Sequence, residues 1–280
     1  MTRQIGGDVD PALVARGAGV LRAAPAGLIT DIDGTISPIA PTPAEAVVAA
    51  EARAALARLA ARLDVVAVVS GRAADACAAM VGLPDLLYFG NHGMERRQAG
   101  ETAAHPAAAG AERAVGAALA EIEGALAGTP LAATTIVENK RLTGTVHYRL
   151  AADPAAARAA LAPMVAAAAA RHGLTVTEGR AILELRPDIA VNKGTAIVDL
   201  ARERGLRGAV FLGDDLTDVD GFRALRSLRE RGELAALCVG VVGPETPSGV
   251  RDAVDGSVDG VAGCAAWLTA LADRLDGRRP

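Results

Sequence analysis

The chain has 280 residues, 51% hydrophobic and 22% charged, with a net charge of −4. That length accommodates one large domain, or a core plus a smaller one, and the composition excludes wholesale disorder. The slight acidity leaves no basic footprint for nucleic acid or an anionic membrane, no apolar run is long enough to span a bilayer, and MTRQIGGDVD lacks the apolar centre of a leader.

The first informative stretch is 26-AGLITDIDGTISPIAP-41, where an apolar strand runs into Asp31 and Asp33. Residues i and i+2 of a strand share a face roughly 7 Å apart. At an effective dielectric of 20 their carboxylates repel by about 2 kcal/mol. A solvated turn is the plain reading, and a cation between the two is the sharper one. Next, 42-TPAEAVVAAEARAALARLAARL-63 predicts one helix, capped by Thr42 with Pro43 at its first position and Glu45 completing a capping box. The strand 64-DVVAVVSGR-72 is continuously apolar, as for a strand covered on both faces. A helix to about Val81 and a short strand, 86-LLYFGNHG-93, follow.

From about residue 104 the pattern changes. A helix over about 107–128, strands at 132–140 and 142–150, a helix at 154–172 and a hairpin over 174–187 turning at Glu178-Gly179-Arg180 form a small α+β unit. Its strands carry one charged face, with Glu138, Lys140, His147, Arg149, Glu184 and Arg186, which taken alone reads as a solvated surface. The α/β alternation then resumes. A helix opens at Asn192-Lys193-Gly194, 208-GAVFLGDDLTDVDGF-222 runs from an apolar strand into an acidic cluster, and a further strand at 235-AALCVGVVG-243 and a helix at 260–275 complete the core. The fold class is α/β: a Rossmann-like parallel-sheet core (1–103 and 187–280) with an inserted smaller α+β cap domain (104–186).

Ligands of open α/β sheets sit outside the carboxyl ends of the strands, and three such ends carry Asp31, Ser70 and Asp214. Asp31, Asp33, Asp214 and Asp218 supply hard oxygen donors suited to Mg²⁺. Ser70 and Gly71 offer a hydroxyl and N–H groups to an anion, and Lys193 a point charge for phosphate. Singly, Ser70 reads as an N-cap, Lys193 as an exposed first-turn residue, and 214-DDLTD-218 as a capped helix start. Together, and in this order, they indicate phosphoryl transfer through a carboxylate nucleophile with a neighbouring acid–base group. Of the 29 basic residues only Lys140 and Lys193 are lysines, so both positions invite a specific role.

The order DIDGT, SGR, NKG, GDDLTD resembles the four motifs of the haloacid dehalogenase-like phosphatases. The stretches 31-DIDGTISPI-39, 90-GNHGMER-96, 138-ENK-140, 146-VHYR-149, 182-ILELRPDIAVNKG-194 and 213-GDDLTDVDGF-222 are similar to those of the trehalose-6-phosphate phosphatases, over about residues 26–255. The resemblance implies Asp31 as nucleophile, Asp33 as acid and base, and Ser70 and Lys193 on the phosphoryl oxygens. It also implies Mg²⁺ held by Asp31, the Asp33 carbonyl and Asp214, with Asp218 in support. Glu138, Lys140 and Glu184 would grip the disaccharide hydroxyls from a mobile cap, with Arg180, Asn91, His92 and Glu95 as further contacts or aids to cap closure.

With only six aromatic residues, sugar recognition must rest on hydrogen bonds from polar side chains, which favours a hydroxyl-rich ligand. Several alternatives stay open: a phosphatase for another disaccharide-like or sugar phosphate, a sugar phosphomutase, and a non-catalytic sugar-phosphate-binding module. A dinucleotide site is disfavoured, because 17-GAGVLR-22 precedes the first strand and lacks the third glycine. A bare receiver module would be far shorter and carry no insert. Cys77, Cys238 and Cys264 suit a reducing cytoplasm and neither a disulfide framework nor a zinc site. The expectation is a cytoplasmic monomer acting on a small sugar phosphate, with no membrane or nucleic-acid partner and any trehalose-6-phosphate synthase on a separate chain.

Overall fold

The computed structural model describes residues 9–244 and 246–277. Residues 1–8 of the segment inspected for a leader lie outside them. The chain order is α1 (Pro11–Leu21), β1 (Ala26–Thr30), α2 (Ala50–Ala60), β2 (Val65–Val69), α3 (Ala74–Val81), β3 (Leu87–Gly90), β4 (Glu95–Gln98) and β5 (Glu101–Ala104). Then come α4 (Ala111–Leu126), β6 (Ile136–Asn139), β7 (Gly144–His147), α5 (Pro154–Arg171), β8 (Leu174–Gly179) and β9 (Ile182–Pro187). The last group is α6 (Lys193–Glu203), β10 (Gly208–Gly213), α7 (Leu216–Glu230), β11 (Ala235–Val242), α8 (Ser248–Arg251), β12 (Gly256–Asp259) and α9 (Gly260–Leu275). Contacts divide the chain into a first unit, Met1–Ala103 with Val191–Pro280, and a second, Ala104–Ala190. Residues 187–190, read from sequence as core, fall within the second unit, because β9 pairs with β8 through Pro187.

The first unit is built on an eight-stranded sheet in the order β12-β11-β10-β1-β2-β3-β4-β5. Pairing is parallel from β12 to β3 and antiparallel between β3 and β4. Alternate residues of each central strand enter different cores. Leu28, Val66, Val68, Val210 and Leu212 pack with α1, α2 and α9. Ile29, Ala67, Val69, Phe211 and Cys238 pack with α6 and α7. Both faces are therefore apolar, and this is why β1 and β2 read as continuous hydrophobic runs. After β1 the chain leaves towards β2 on one side, and it returns later as β10 on the other. The β1/β10 gap is thus a topological switch point.

The second unit is a four-stranded antiparallel sheet, β6-β7-β9-β8. Val146, Leu183 and Leu185 pack on Leu119 and Ile122 of α4 and Leu161 and Val165 of α5. The opposite face carries the register row Glu138, Thr145, Glu184 and Thr177.

Several elements differ from their sequence reading. The helix expected over 42–63 is a 3₁₀ turn, Pro43–Glu45, followed by an extended segment and then α2. The Thr42–Glu45 box forms, with the Thr42 N–H 3.1 Å from Glu45 Oε2, but it caps only the turn. Tertiary bonds hold the break: Ala49 N–H donates to the Ile36 carbonyl (2.9 Å), Arg72 Nη1 donates to the Pro43 carbonyl (3.1 Å), and Val48 is buried. The β8–β9 hairpin turns at Arg180-Ala181, not at Glu178–Arg180, with Ala181 left-handed at φ 58°. Sequence reading missed α1, β4, β5 and β12. The glycine-containing run 17-GAGVLR-22 forms the end of α1 and its C-cap, Arg22, and a Cβ on Gly17 would stand 2.8 Å from the Trp267 indole.

Trp267 is fully buried between α1 and the sheet, so Trp267→Ala is expected to cost about 3–5 kcal/mol in urea unfolding. A loss under about 1 kcal/mol would mean that α1 and α9 close over the space.

Candidate active site

The carboxyl ends of β1, β2 and β10 and the N-termini of α6 and α7 carry the candidate catalytic side chains. The Asp31 N–H continues the β1–β10 ladder by donating to the Leu212 carbonyl (2.9 Å). The chain then turns tightly. The Ile36 and Ser37 N–H groups both donate to the Ile32 carbonyl, and Gly34 N–H donates to Ser37 O (2.7 Å). Gly34 has φ +85°, and a Cβ there would lie 2.1 Å from Asp214 Oδ2. Only glycine lets the loop lie this close to the carboxylate. Thr35 Oγ1 then donates to Asp214 Oδ1 at 3.0 Å.

Lys193 is the first residue of α6, and Asn192 caps that helix by accepting the Thr195 N–H at 3.0 Å. This cap directs Lys193 inward, where it is 2% exposed. Its Nζ lies 3.0 Å from Asp31 Oδ1 and 2.7 Å from Asp218 Oδ1. The other Asp218 oxygen accepts the N–H groups of Asp214 (3.0 Å) and Asp215 (3.1 Å), tying β10 to the first turn of α7. Asp215 occupies the N-cap position of that helix.

Asp31, Asp214 and Asp218 are all buried, and each offers an oxygen within 4.8 Å of the others. Burial above all pushes the Asp31 carboxyl well above the ordinary carboxylate range, Lys193 opposes this, and Asp218, Asp214 and Asp33 add to it. Burial also works against the Lys193 charge, but Asp218 and Asp31 outweigh it and hold the ammonium above its ordinary pKa. Three hard oxygen donors in mutual repulsion fit a small divalent cation.

Asp33 faces a different partner. Arg72 takes it bidentately, with Nε 2.6 Å from Oδ2 and Nη2 2.8 Å from Oδ1. Sequence reading gave Arg72 and Thr35 no role. The signal for Arg72 was the unmatched Asp33 charge beside a strand-end Ser-Gly-Arg. Ser70 is buried and donates its N–H to the Phe89 carbonyl (2.9 Å). Ser70 does not cap α3: the N-cap position is Ala73, and Glu95 accepts the Ala74 N–H at 2.6 Å. Gly71 lies under the His92 ring, 2.7 Å from where its Cβ would be. Asn91, His92 and Glu95, read as sugar contacts or aids to cap closure, are buried against this Ser70–Ala74 segment of the first unit.

In the second unit the polar sheet face is organised into pairs. Lys140 Nζ meets Glu184 Oε1 at 2.6 Å, both side chains buried, and His147 Nε2 meets Glu138 Oε2 at 2.8 Å. The reading of this face as a plain solvated surface does not hold for Lys140 and Glu184. Arg180 sits in the β8–β9 turn, half-buried, and its carbonyl accepts from Arg149 Nη2 (2.9 Å).

A family model described as Trehalose-phosphatase matches residues 29–249. The trehalose-phosphate phosphatase of Mycobacterium tuberculosis (strain ATCC 25618 / H37Rv) is 39% identical over 198 residues, covering 69% of this chain and 49% of that protein. That of Mycobacterium avium (strain 104) is 38% identical over 226 residues, covering 78% and 56%. The chain thus spans about half the length of the curated relatives it matches. In fold, it superposes on the C-terminal domain of C. albicans trehalose-6-phosphate phosphatase with a TM-score of 0.73 at 22% identity, covering 96% of this chain and 97% of that one. The family match spans Asp31, Ser70, Lys193 and Asp214 alike, and the chain belongs to the trehalose-phosphatase family.

Proposed function

We propose that this chain is a Mg²⁺-dependent phosphatase that hydrolyses trehalose 6-phosphate to trehalose and phosphate through an aspartyl-phosphate. The observation that carries this reading is the buried Asp31 carboxylate, with the Lys193 ammonium 3.0 Å from one oxygen and Asp214 and Asp218 beside it. Asp31, the Asp33 carbonyl and Asp214 would hold Mg²⁺, with Asp218 in support. When bound, the ion supplies positive charge that offsets the carboxylates and the phosphoryl oxygens.

Asp31 attacks phosphorus through a carboxylate oxygen, and the bond from phosphorus to the sugar oxygen breaks. Asp33 gives that oxygen its proton. It then takes a proton from water, whose oxygen attacks the phosphorus of the aspartyl-phosphate. The bond to Asp31 breaks, and orthophosphate leaves. Lys193 and the Ser70 hydroxyl, with Gly71 of the same loop, bind the phosphoryl oxygens throughout. For Asp33 to donate, its carboxylate must leave the bidentate pairing with Arg72 seen here.

Substrate choice is assigned to the second unit. Glu138, Lys140 and Glu184 present charged hydrogen-bonding groups on one sheet face, and Arg180 lies in the adjoining turn. Sites built to pair with hydroxyls discriminate strongly against ligands lacking them. The names of the curated relatives agree with a trehalose phosphate as substrate.

Three measurements test the reading. Phosphate release across a panel of sugar phosphates should favour trehalose 6-phosphate and fall to background after chelation of Mg²⁺; parity with glucose 6-phosphate refutes the substrate. Asp31→Asn should abolish labelled phospho-enzyme, because an amide cannot attack, and label retained in that variant moves the nucleophile elsewhere. Glu184→Ala should lower kcat/KM for trehalose 6-phosphate by about a hundredfold while changing that for a small phosphate ester little. Equal losses on both substrates would give Glu184 a purely structural role.

A further inference from the structure

The reaction leaves one motif unexplained, 90-GNHGMER-96. Asn91 (φ 47°), His92 (φ 58°) and Gly93 (φ 101°) follow one another in the left-handed region, which side-chain-bearing residues seldom enter. Asn91 is completely buried and His92 nearly so. Such a run persists only where surrounding contacts over-determine it.

Here those contacts converge on the loop between β2 and α3. Asn91 N–H donates to the Arg72 carbonyl (2.8 Å), and His92 N–H donates to the Ser70 carbonyl (2.9 Å). The buried Glu95 carboxylate accepts the Ala74 N–H at 2.6 Å and the Asn91 amide at 2.9 Å through the same oxygen. The His92 ring lies on Gly71, and a Cβ on Gly90 would stand 2.2 Å from the Ala74 nitrogen. The turn therefore fits closely against residues 70–74. It engages the carbonyl oxygens of Ser70 and Arg72, the loop groups that would repel an anion.

We propose that the Asn91–Glu95 turn is a positioning element for phosphate binding. It sets the backbone of Ser70-Gly71-Arg72, and through that loop the affinity of the site for the phosphoryl group and for orthophosphate. The inference rests on the reading of Ser70 and Gly71 as phosphate-binding groups. None of the turn residues touches the phosphate; each acts through the loop.

Orthophosphate, as an inhibitor of the full chain in saturating Mg²⁺, is the probe. Glu95→Ala removes the acceptor shared by Ala74 and Asn91, and is expected to raise the phosphate Ki about tenfold or more. Glu95→Gln keeps an oxygen at that place and should restore most of the affinity. Ser70→Ala should also raise Ki, and the double variant should lose less than the two single losses combined, because both act on one loop. A merely structural defect would lower the folded fraction and leave Ki unchanged in the molecules that fold; a wild-type Ki for Glu95→Ala overturns the proposal. If Ser70→Ala itself leaves Ki unchanged, the phosphate-binding role of Ser70 falls, and this inference with it. Should Glu95→Ala not fold, Asn91→Gly tolerates the left-handed backbone and removes the side-chain amide that donates to Glu95. It is expected to raise Ki, and an unchanged Ki again overturns the proposal.

Discussion

The buried Lys193 ammonium is the interaction on which the rest of the first unit's site depends. Asp31, Asp214 and Asp218 are each 5% exposed or less. Carboxylates so removed from water cannot stay charged together without a compensating cation. Lys193 supplies one such charge, placed between Asp31, directly after β1, and Asp218 on α7. Its position follows from local chemistry, since the Asn192–Thr195 box fixes the start of α6 and directs the first helical residue inward. Asp218 answers from α7 by accepting the N–H groups at the end of β10. Three elements distant in sequence are thus held by one ammonium and the carboxylates around it, and the remaining negative charge makes the cluster suitable for a divalent cation.

The division of labour between arginine and lysine follows their shapes. Arginine appears where a planar fork meets a carboxylate, as Arg72 on Asp33, Arg229 on Asp255 and Arg158 on Glu178. The two lysines instead occupy buried positions where a compact charge meets carboxylate oxygens, Lys193 in the first unit and Lys140 in the second. A buried pair such as Lys140–Glu184 adds little net stability compared with well-packed apolar residues. It lies on the polar face of a sheet whose reverse packs Val146, Leu183 and Leu185 against α4 and α5.

The central strands were readable because burial on both faces leaves an unbroken apolar run, as in Val65–Val69 and Gly208–Phe211. The edges were not. β4 and β5, in 95-ERRQAGETAA-104, carry charged and small residues and are recognisable only by main-chain pairing and by the two left-handed residues, Ala99 and Gly100, that join them. The segment 46–49 has ordinary helix-forming residues, yet the Ala49 bond to Ile36 and the burial of Val48 hold it extended. Local propensity amounts to tenths of a kcal/mol per residue, and tertiary contacts of this kind override it.

Residue types and their order already placed Asp31, Ser70, Lys193 and Asp214 at the strand and helix ends of a parallel sheet, because period, capping and charge are local properties of a chain. Which charge meets which is a property of the folded molecule. Asp33 pairs with Arg72, Lys193 links Asp31 to Asp218, and Asn91, His92 and Glu95 close on the Ser70 loop. Those partners lie far apart along the chain, and no periodicity encodes their meeting. They are joined only when the sheet brings the ends of β1, β2, β3 and β10 side by side.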